Sequence, residues 1–339
     1  MPQARGDSNE PFRMARINQL NITIIGAGTI GLSFAALHLD HASKYGNSLR
    51  LTIHDSRPDI EEHVLSTLPR YLSCKLTKVE DDEGTKNEYS VFIEGRCSDD
   101  RVIINNNLES AVSDSNIVQE QGPEHASFKT TLWPEVERHC PHNALLWSST
   151  SGIPASVQCA DMKDPSRLIV VHPYNPPHIM PLLKIVPSPA TAPEVVSRTL
   201  EFWKDKDRTP LVLKKETTGF VANRLAFALL REAIYLVKEG VTTVEDIDDL
   251  ISSSMGPRWA VAGIFKSYHA GGGAGGLEGF FKNLGGTVQA CWDDIGTLNV
   301  GDGWEEDVFK QTNEAYGVVD TKERDDKTRR VLEAVKTKK

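Results

Sequence analysis

A chain of 339 residues can build two hydrophobic cores, and its formal net charge of −9 gives no electrostatic pull toward nucleic acid or an anionic membrane surface. No run of about eighteen apolar residues occurs, so no membrane-spanning helix is expected. Cys74, Cys97, Cys140, Cys159 and Cys291 lack CxxC spacing and a neighbouring histidine cluster, which points to reduced thiols in the cytosol and to no metal site.

Residues 1–16 are polar, carry Asp7 and Glu10 and contain no apolar stretch; they read as a disordered lead rather than a signal peptide. A short apolar strand is expected at 21–25, running straight into GAGTIG at 26–31. A helix follows over 32–39, and a second apolar strand at 49–54 ends at Asp55. Each part has a physical job. Gly26 allows a tight turn, Gly28 lets backbone approach a pyrophosphate, and Gly31 lets helix pack closely on strand. Thr29 and Ile30 stand at a helix N-terminus, whose unpaired N–H groups and partial positive charge suit phosphates. Asp55 is placed to accept bonds from the hydroxyls of an adenine ribose and to repel a 2′-phosphate. Together these parts predict a dinucleotide site with NAD favoured over NADP, although Arg57 lies close to the discriminating acid.

Further strands are expected at 102–104, 116–119, 144–148, 167–171, 182–186 and 210–214, alternating with helical stretches. That alternation predicts an α/β fold, a Rossmann-type doubly wound parallel sheet covered on both faces. The strand at 182–186 reads as a buried parallel strand. Residues 79–101 are acidic, with a small β excursion over 89–93, and read as a surface insertion. A helix is expected near 193–206. After Thr217 the texture changes: 219–239 has helical spacing and stops at Gly240, and another helix starts after Thr242 and Thr243 with Asp246 in its first turn. Little strand signal follows. The expected division is a lead at 1–16, an NAD-binding domain at 17–215 and an all-α C-terminal domain at 216–339.

Open sheets bind ligands beyond the carboxyl ends of their strands. The residues delivered there are Gly26, Asp55, Glu120, the run Ser148, Ser149, Thr150 and Ser151, and then His172, Pro173, Tyr174 and Asn175. Glu120 is a candidate to face the nicotinamide ribose or ring, and Asn175 a candidate substrate contact.

GAGTIG, VQEQGPE at 118–124, SSTSGIP at 148–154, HPYNPP at 172–177 and TTGFVANRL at 217–225 together resemble the 3-hydroxyacyl-CoA dehydrogenase family. The Pro-Glu of the second motif, the run after HPYNPP and GPRWA at 256–260 are similar to its branch of lambda-crystallin, L-gulonate 3-dehydrogenase and L-carnitine dehydrogenase. The resemblance covers about residues 20–300. It implies NAD-linked oxidation of a 3-hydroxyl group and a helical C-terminal domain that makes a homodimer. It also implies that His172 is the general acid/base, and that Ser148 and Asn223 contact the substrate oxygen, with Ser149 a rival to Ser148. An imidazole fits the proton transfer, since it titrates in the useful range.

One position departs from the resemblance. The family places a glutamate twelve residues after the histidine, where this chain has Lys184. A cation beside His172 would lower the imidazole pKa. Lys184 is then an acid/base in its own right, a site for an anionic substrate group, or the mark of lost dehydrogenase chemistry. That last alternative makes the chain an NAD-binding relative with a structural or specialised-pathway role. Glu194 and Glu216 are candidate substitutes for the missing carboxylate. Arg258 is a candidate substrate contact, and Arg70, Lys75 and Lys78 are candidates for CoA phosphates. The run AGGGAGGLEGFF at 270–281 follows no strand and reads as a mobile loop.

Overall fold

Ten strands form one sheet in the computed structural model, which describes residues 19–42, 49–72, 75–79, 88–94 and 101–336. The lead at 1–16, Cys74, Cys97 and much of 79–101 lie outside the described residues. The chain divides into two compact units, Met1–Phe220 and Val221–Lys339. No helix among the described residues is long and apolar enough to cross a membrane.

The first unit opens with β1 (Leu20–Ile25), α1 (Thr29–Asp40), β2 (Leu49–His54) and α2 (Ile60–Thr67). Then come β3 (Lys75–Val79), β4 (Glu88–Glu94), β5 (Arg101–Asn105), α3 (Leu108–Val112) and β6 (Ile117–Glu120). It continues through α4 (Ala126–His139), β7 (Leu145–Ser148), α5 (Ala155–Gln158) and β8 (Leu168–Pro173). The last elements are β9 (Leu182–Pro187), α6 (Pro193–Asp205) and β10 (Thr209–Val212).

The strand order is β10-β9-β8-β7-β6-β1-β2-β5-β4-β3. Strands β5, β2, β1, β6, β7 and β8 run parallel to one another, and the order reverses between β6 and β1, where a doubly wound sheet opens a crevice. These strands are buried almost throughout, as a sheet covered on both faces requires. One face packs under α1 and α6, with Phe34, Trp147, Phe202 and Trp203 among its largest members. The other packs under α4 through Leu132, Trp133 and Val136.

The pairing departs from the all-parallel expectation in one place that matters for the site. The strand at Leu182–Pro187 runs antiparallel to β8, although parallel to β10. Its reason is chain length. Residues 174–181 are too few for a crossover, which needs a dozen or more, but enough for a hairpin. The β excursion at 89–93 is a full strand, and β3, not expected from sequence, pairs with it; both add antiparallel partners beyond β5.

The second unit is helical: α7 (Ala222–Lys238), α8 (Val244–Leu250), α9 (Gly256–Gly271), α10 (Gly276–Asp294), α11 (Glu305–Tyr316) and α12 (Thr321–Val335). Gly240, at φ +67°, ends the α7 turn, and Thr243 caps α8 by accepting the Asp246 N–H. The glycine run at 270–281 is not a mobile loop. It is the end of α9, a 3₁₀ turn at Gly273–Gly275 and the start of α10, with Gly272 and Gly276 so close that a Cβ on Gly272 would meet the Gly276 oxygen at 1.7 Å. Among the described residues of this unit, Val237 and Val308 are the buried hydrophobics, whereas Phe227, Val261, Phe265 and Trp292 are more than half exposed.

Candidate active site

The dinucleotide end is built around β1 and β2. Gly26 has φ +100°, its N–H donates to His54 O, and a Cβ there would lie 2.8 Å from Gln121 O. A Cβ on Gly31 would lie 1.8 Å from Gly26 O, so only glycine lets α1 start this close to the turn. Gly28 differs. A Cβ there meets nothing within 4 Å, and no side chain caps α1. Open space above an uncapped helix start at Thr29 and Ile30 fits a pyrophosphate. Asp55 ties the turn together: Oδ2 accepts the Ala27 N–H at 2.8 Å and Oδ1 the Arg57 N–H at 3.0 Å. Each oxygen keeps a lone pair for a ribose hydroxyl. The Arg57 guanidinium sits 3.8 Å from Asp59, its acidic neighbour.

Glu120 does not face outward as expected. It is fully buried, and Lys129 Nζ donates to both its oxygens at 2.6 and 2.8 Å. The Gly122 N–H donates to Oε1 at 2.7 Å and Ser148 Oγ to Oε2 at 2.9 Å. Burial pushes the Glu120 carboxyl up, and these donors pull against it. Ser148 is likewise fully buried, with its hydroxyl committed to Glu120; Ser149 is half-buried and accepts from Gln121 Nε2 at 3.2 Å.

The carboxylate at the rim is Glu124, which the sequence analysis quoted only within a motif. Its Oε1 accepts from Thr150 Oγ1 at 2.6 Å, from the N–H groups of Ser151 and Gly152 at 2.8 and 2.9 Å, and from Ser151 Oγ at 3.0 Å. Burial alone would raise its pKa; those donors and Lys129 outweigh it and hold Glu124 below the usual carboxylate range. Lys129 was also passed over, although α4 buries Lys129, Leu132, Trp133 and Val136, so the lysine occupies an apolar stripe and needs a partner.

His172 and Lys184 face each other across the β8–β9 ladder. Ile169, Val171, Leu183 and Ile185 join one core and Leu168, Val170 and Val186 the other, so alternation puts His172 and Lys184 on the second face together. Both are buried, at 8% and 1% exposure. Among the described residues, neither His172 Nδ1 nor Lys184 Nζ has a hydrogen-bond partner. Phe220, held at φ +52°, packs its ring 5.6 Å from the imidazole, and the Tyr174 ring lies 5.3 Å from the Lys184 ammonium. Desolvation, and next the Lys184 charge, bring the His172 pKa down to about 3, with Glu124 pulling it up. Desolvation brings Lys184 down to about 8.

Asn175 is exposed on the β8–β9 connection, Glu194 is exposed in the first turn of α6, and Glu216 accepts the Ser156 N–H at 3.0 Å. Lys78 is exposed and paired with Glu61, Arg70 is exposed, and the Lys75 side chain lies outside the described residues. Asn223 stands in the first turn of α7, and Arg258 lines a cavity of about 230 Å³ with Trp259, Tyr268 and Phe280 inside the second unit.

Residues 21–217 match the family model of the 3-hydroxyacyl-CoA dehydrogenase NAD-binding domain, and residues 219–321 that of its C-terminal domain. An L-carnitine dehydrogenase of Mesorhizobium japonicum is 32% identical over 80% of this chain and 70% of its own length. A 3-hydroxyacyl-CoA dehydrogenase of Gibberella moniliformis is 31% identical over 81% of this chain and 80% of its own. The crystal structure of FHMPC 5-dehydrogenase, an NAD⁺-dependent dismutase, has the same fold: TM-score 0.71 at 24% identity, covering 93% of this chain and 97% of that one.

Proposed function

The chain belongs to the 3-hydroxyacyl-CoA dehydrogenase family, whose members are NAD-linked oxidoreductases, and from that premise we propose that it oxidises the 3-hydroxyl of a small hydroxy acid or 3-hydroxyacyl compound with His172 and Lys184 sharing the proton. The observation that carries this reading is the buried pair across the β8–β9 ladder, each with an unpartnered nitrogen. NAD is held by the Gly28 opening, the start of α1 and Asp55, and when bound it supplies a hydride acceptor. The chain's own residues do the rest. His172 is neutral at working pH and accepts the hydroxyl proton. The proton moves on to Lys184, because an amine near pKa 8 holds it far better than an imidazole near 3. Glu124 lends the imidazolium a distant negative charge while it orders the Thr150–Gly152 turn.

The test is NAD-linked oxidation of L-carnitine, L-gulonate and a 3-hydroxyacyl thioester side by side. Turnover of at least one is expected. NADH binding with no turnover of any would leave a cofactor-binding relative with other chemistry.

NADH is expected to bind more tightly than NADPH, because a 2′-phosphate would meet the Asp55 carboxylate. A fluorescence titration with both decides it. Tighter NADPH binding would mean that Arg57 leaves Asp59 and controls the pocket.

The second unit's exposed apolar side chains support a homodimer formed through the helical domain. Light scattering should give twice the chain mass, and charged substitutions at Val261 and Phe265 should lower it; a monomeric wild type would remove the proposal. Free buried thiols at Cys140 and Cys159 support a reducing compartment, the cytosol, which cell fractionation would check.

A further inference from the structure

A primary amine withdrawn from water is costly unless its N–H groups find acceptors or it sheds its proton. Three lysines are buried among the described residues, Lys129, Lys184 and Lys206, and the first two are treated differently. Lys129 is 1% exposed and has the Glu120 carboxylate 2.6 Å away. Lys184 is equally buried, yet its Nζ makes no hydrogen bond among the described residues. Its neighbours are the imidazole across the ladder and the face of Tyr174. Tyr174 is itself 38% exposed, and its side chain makes no hydrogen bond among the described residues. Access to the amine requires that ring to turn about its side-chain torsion.

An amine with no carboxylate partner, whose proton is loosened by burial, is a nucleophile toward carbonyl carbon. Oxidation of a 3-hydroxyl places a carbonyl where His172 faced the hydroxyl, directly across the ladder from Lys184. Resting on the dehydrogenase reading above, we propose that Lys184 Nζ condenses with the 3-oxo group of a 3-oxo acid, and that the imine formed loses carbon dioxide. This is a second, redox-neutral activity of the same site.

The bonds balance without an added oxidant or reductant. The Nζ lone pair forms a C–N bond to C3, the carbonyl π pair moves to oxygen, and that oxygen takes the Nζ proton through His172. A second proton, drawn from solvent, lets it leave as water, giving a protonated imine. The C1–C2 bond then breaks, its electron pair passing through C2–C3 to nitrogen as carbon dioxide departs. The enamine takes a proton at C2, and water returns the ketone and the free amine.

The test uses the full chain without NAD. It is incubated with cyanoborohydride and either acetoacetate or the 3-oxo product of whichever hydroxy acid it oxidises, and its peptides are then weighed. A secondary-amine adduct on the Lys184 peptide is expected, an isopropyl group with acetoacetate once carbon dioxide has left. Lys184→Arg should lose the adduct and reduce carbon dioxide release to the uncatalysed rate, while its NADH titration, unchanged, shows the fold intact. No adduct at Lys184 with either compound overturns the inference, and NAD-linked turnover in the same preparation leaves the dehydrogenase standing. An adduct without carbon dioxide release overturns the decarboxylase activity. An adduct with release, but without NAD-linked turnover, upholds the inference and removes the dehydrogenase.

Discussion

Replacing His172 by glutamine is expected to cut NAD-linked turnover by about 10²–10⁴-fold and to leave NADH affinity nearly unchanged. Glutamine keeps the volume at a buried position, so the β8–β9 ladder and the packing against Phe220 survive. What it removes is the group that takes the hydroxyl proton. The GAGTIG turn is held by the Asp55 bond to Ala27, away from this strand, which is why cofactor affinity should not follow turnover down. Steady-state kinetics beside a fluorescence titration separate the two. Turnover within a few fold of wild type would take His172 out of the chemistry and leave Lys184 alone as acid/base.

Lys184→Ala and Lys184→Glu are each expected to lose about 10²-fold or more in turnover, and their pH profiles should differ. In the wild type the proton acceptor is the neutral amine. With its pKa lowered to about 8, the oxidation rate should climb as pH rises through about 8, and the reverse reaction should weaken over the same interval. Alanine deletes that limb. Glutamate puts a carboxylate opposite the imidazole, which raises the His172 pKa from about 3 toward its ordinary value. The residual activity of Lys184→Glu should then rise through the histidine range instead, near about 6.5. A Lys184→Glu protein that oxidises L-carnitine, L-gulonate or a thioester faster than wild type would mean that the lysine had silenced an ordinary dehydrogenase. Equal activity in all three proteins would make Lys184 a bystander.

Much of this was legible in the residues. Gly26 and Gly31 stand where backbone geometry leaves no room for a Cβ, so their spacing carried them. Lys184 was visible as a charge in an apolar strand, and it is buried there. The direction of that strand was read wrongly because hydrophobic patterning says how deeply a strand is buried, not which way it runs; the short connection 174–181 held the answer. Glu120 and Glu124 show a similar limit. One carboxylate ends β6 and the other follows it by four residues, and nothing local says which points inward. The deciding partner, Lys129, lies one turn into α4, where its place in the apolar stripe was the available signal. Phe220 left no trace, since a positive φ at phenylalanine has no sequence signature.

The hairpin made by β8 and β9 separates two kinds of change that evolution usually has to make together. His172 and Lys184 are paired by ladder hydrogen bonds, so their juxtaposition depends on register and not on what joins the strands. Within the connecting residues 174–181, the exposed Asn175 can change chemistry without moving either member of the pair, while Tyr174 stays as the ring beside Lys184. Descendants of this chain therefore have a route to new substrates through the loop alone, with the proton-handling machinery carried along unaltered.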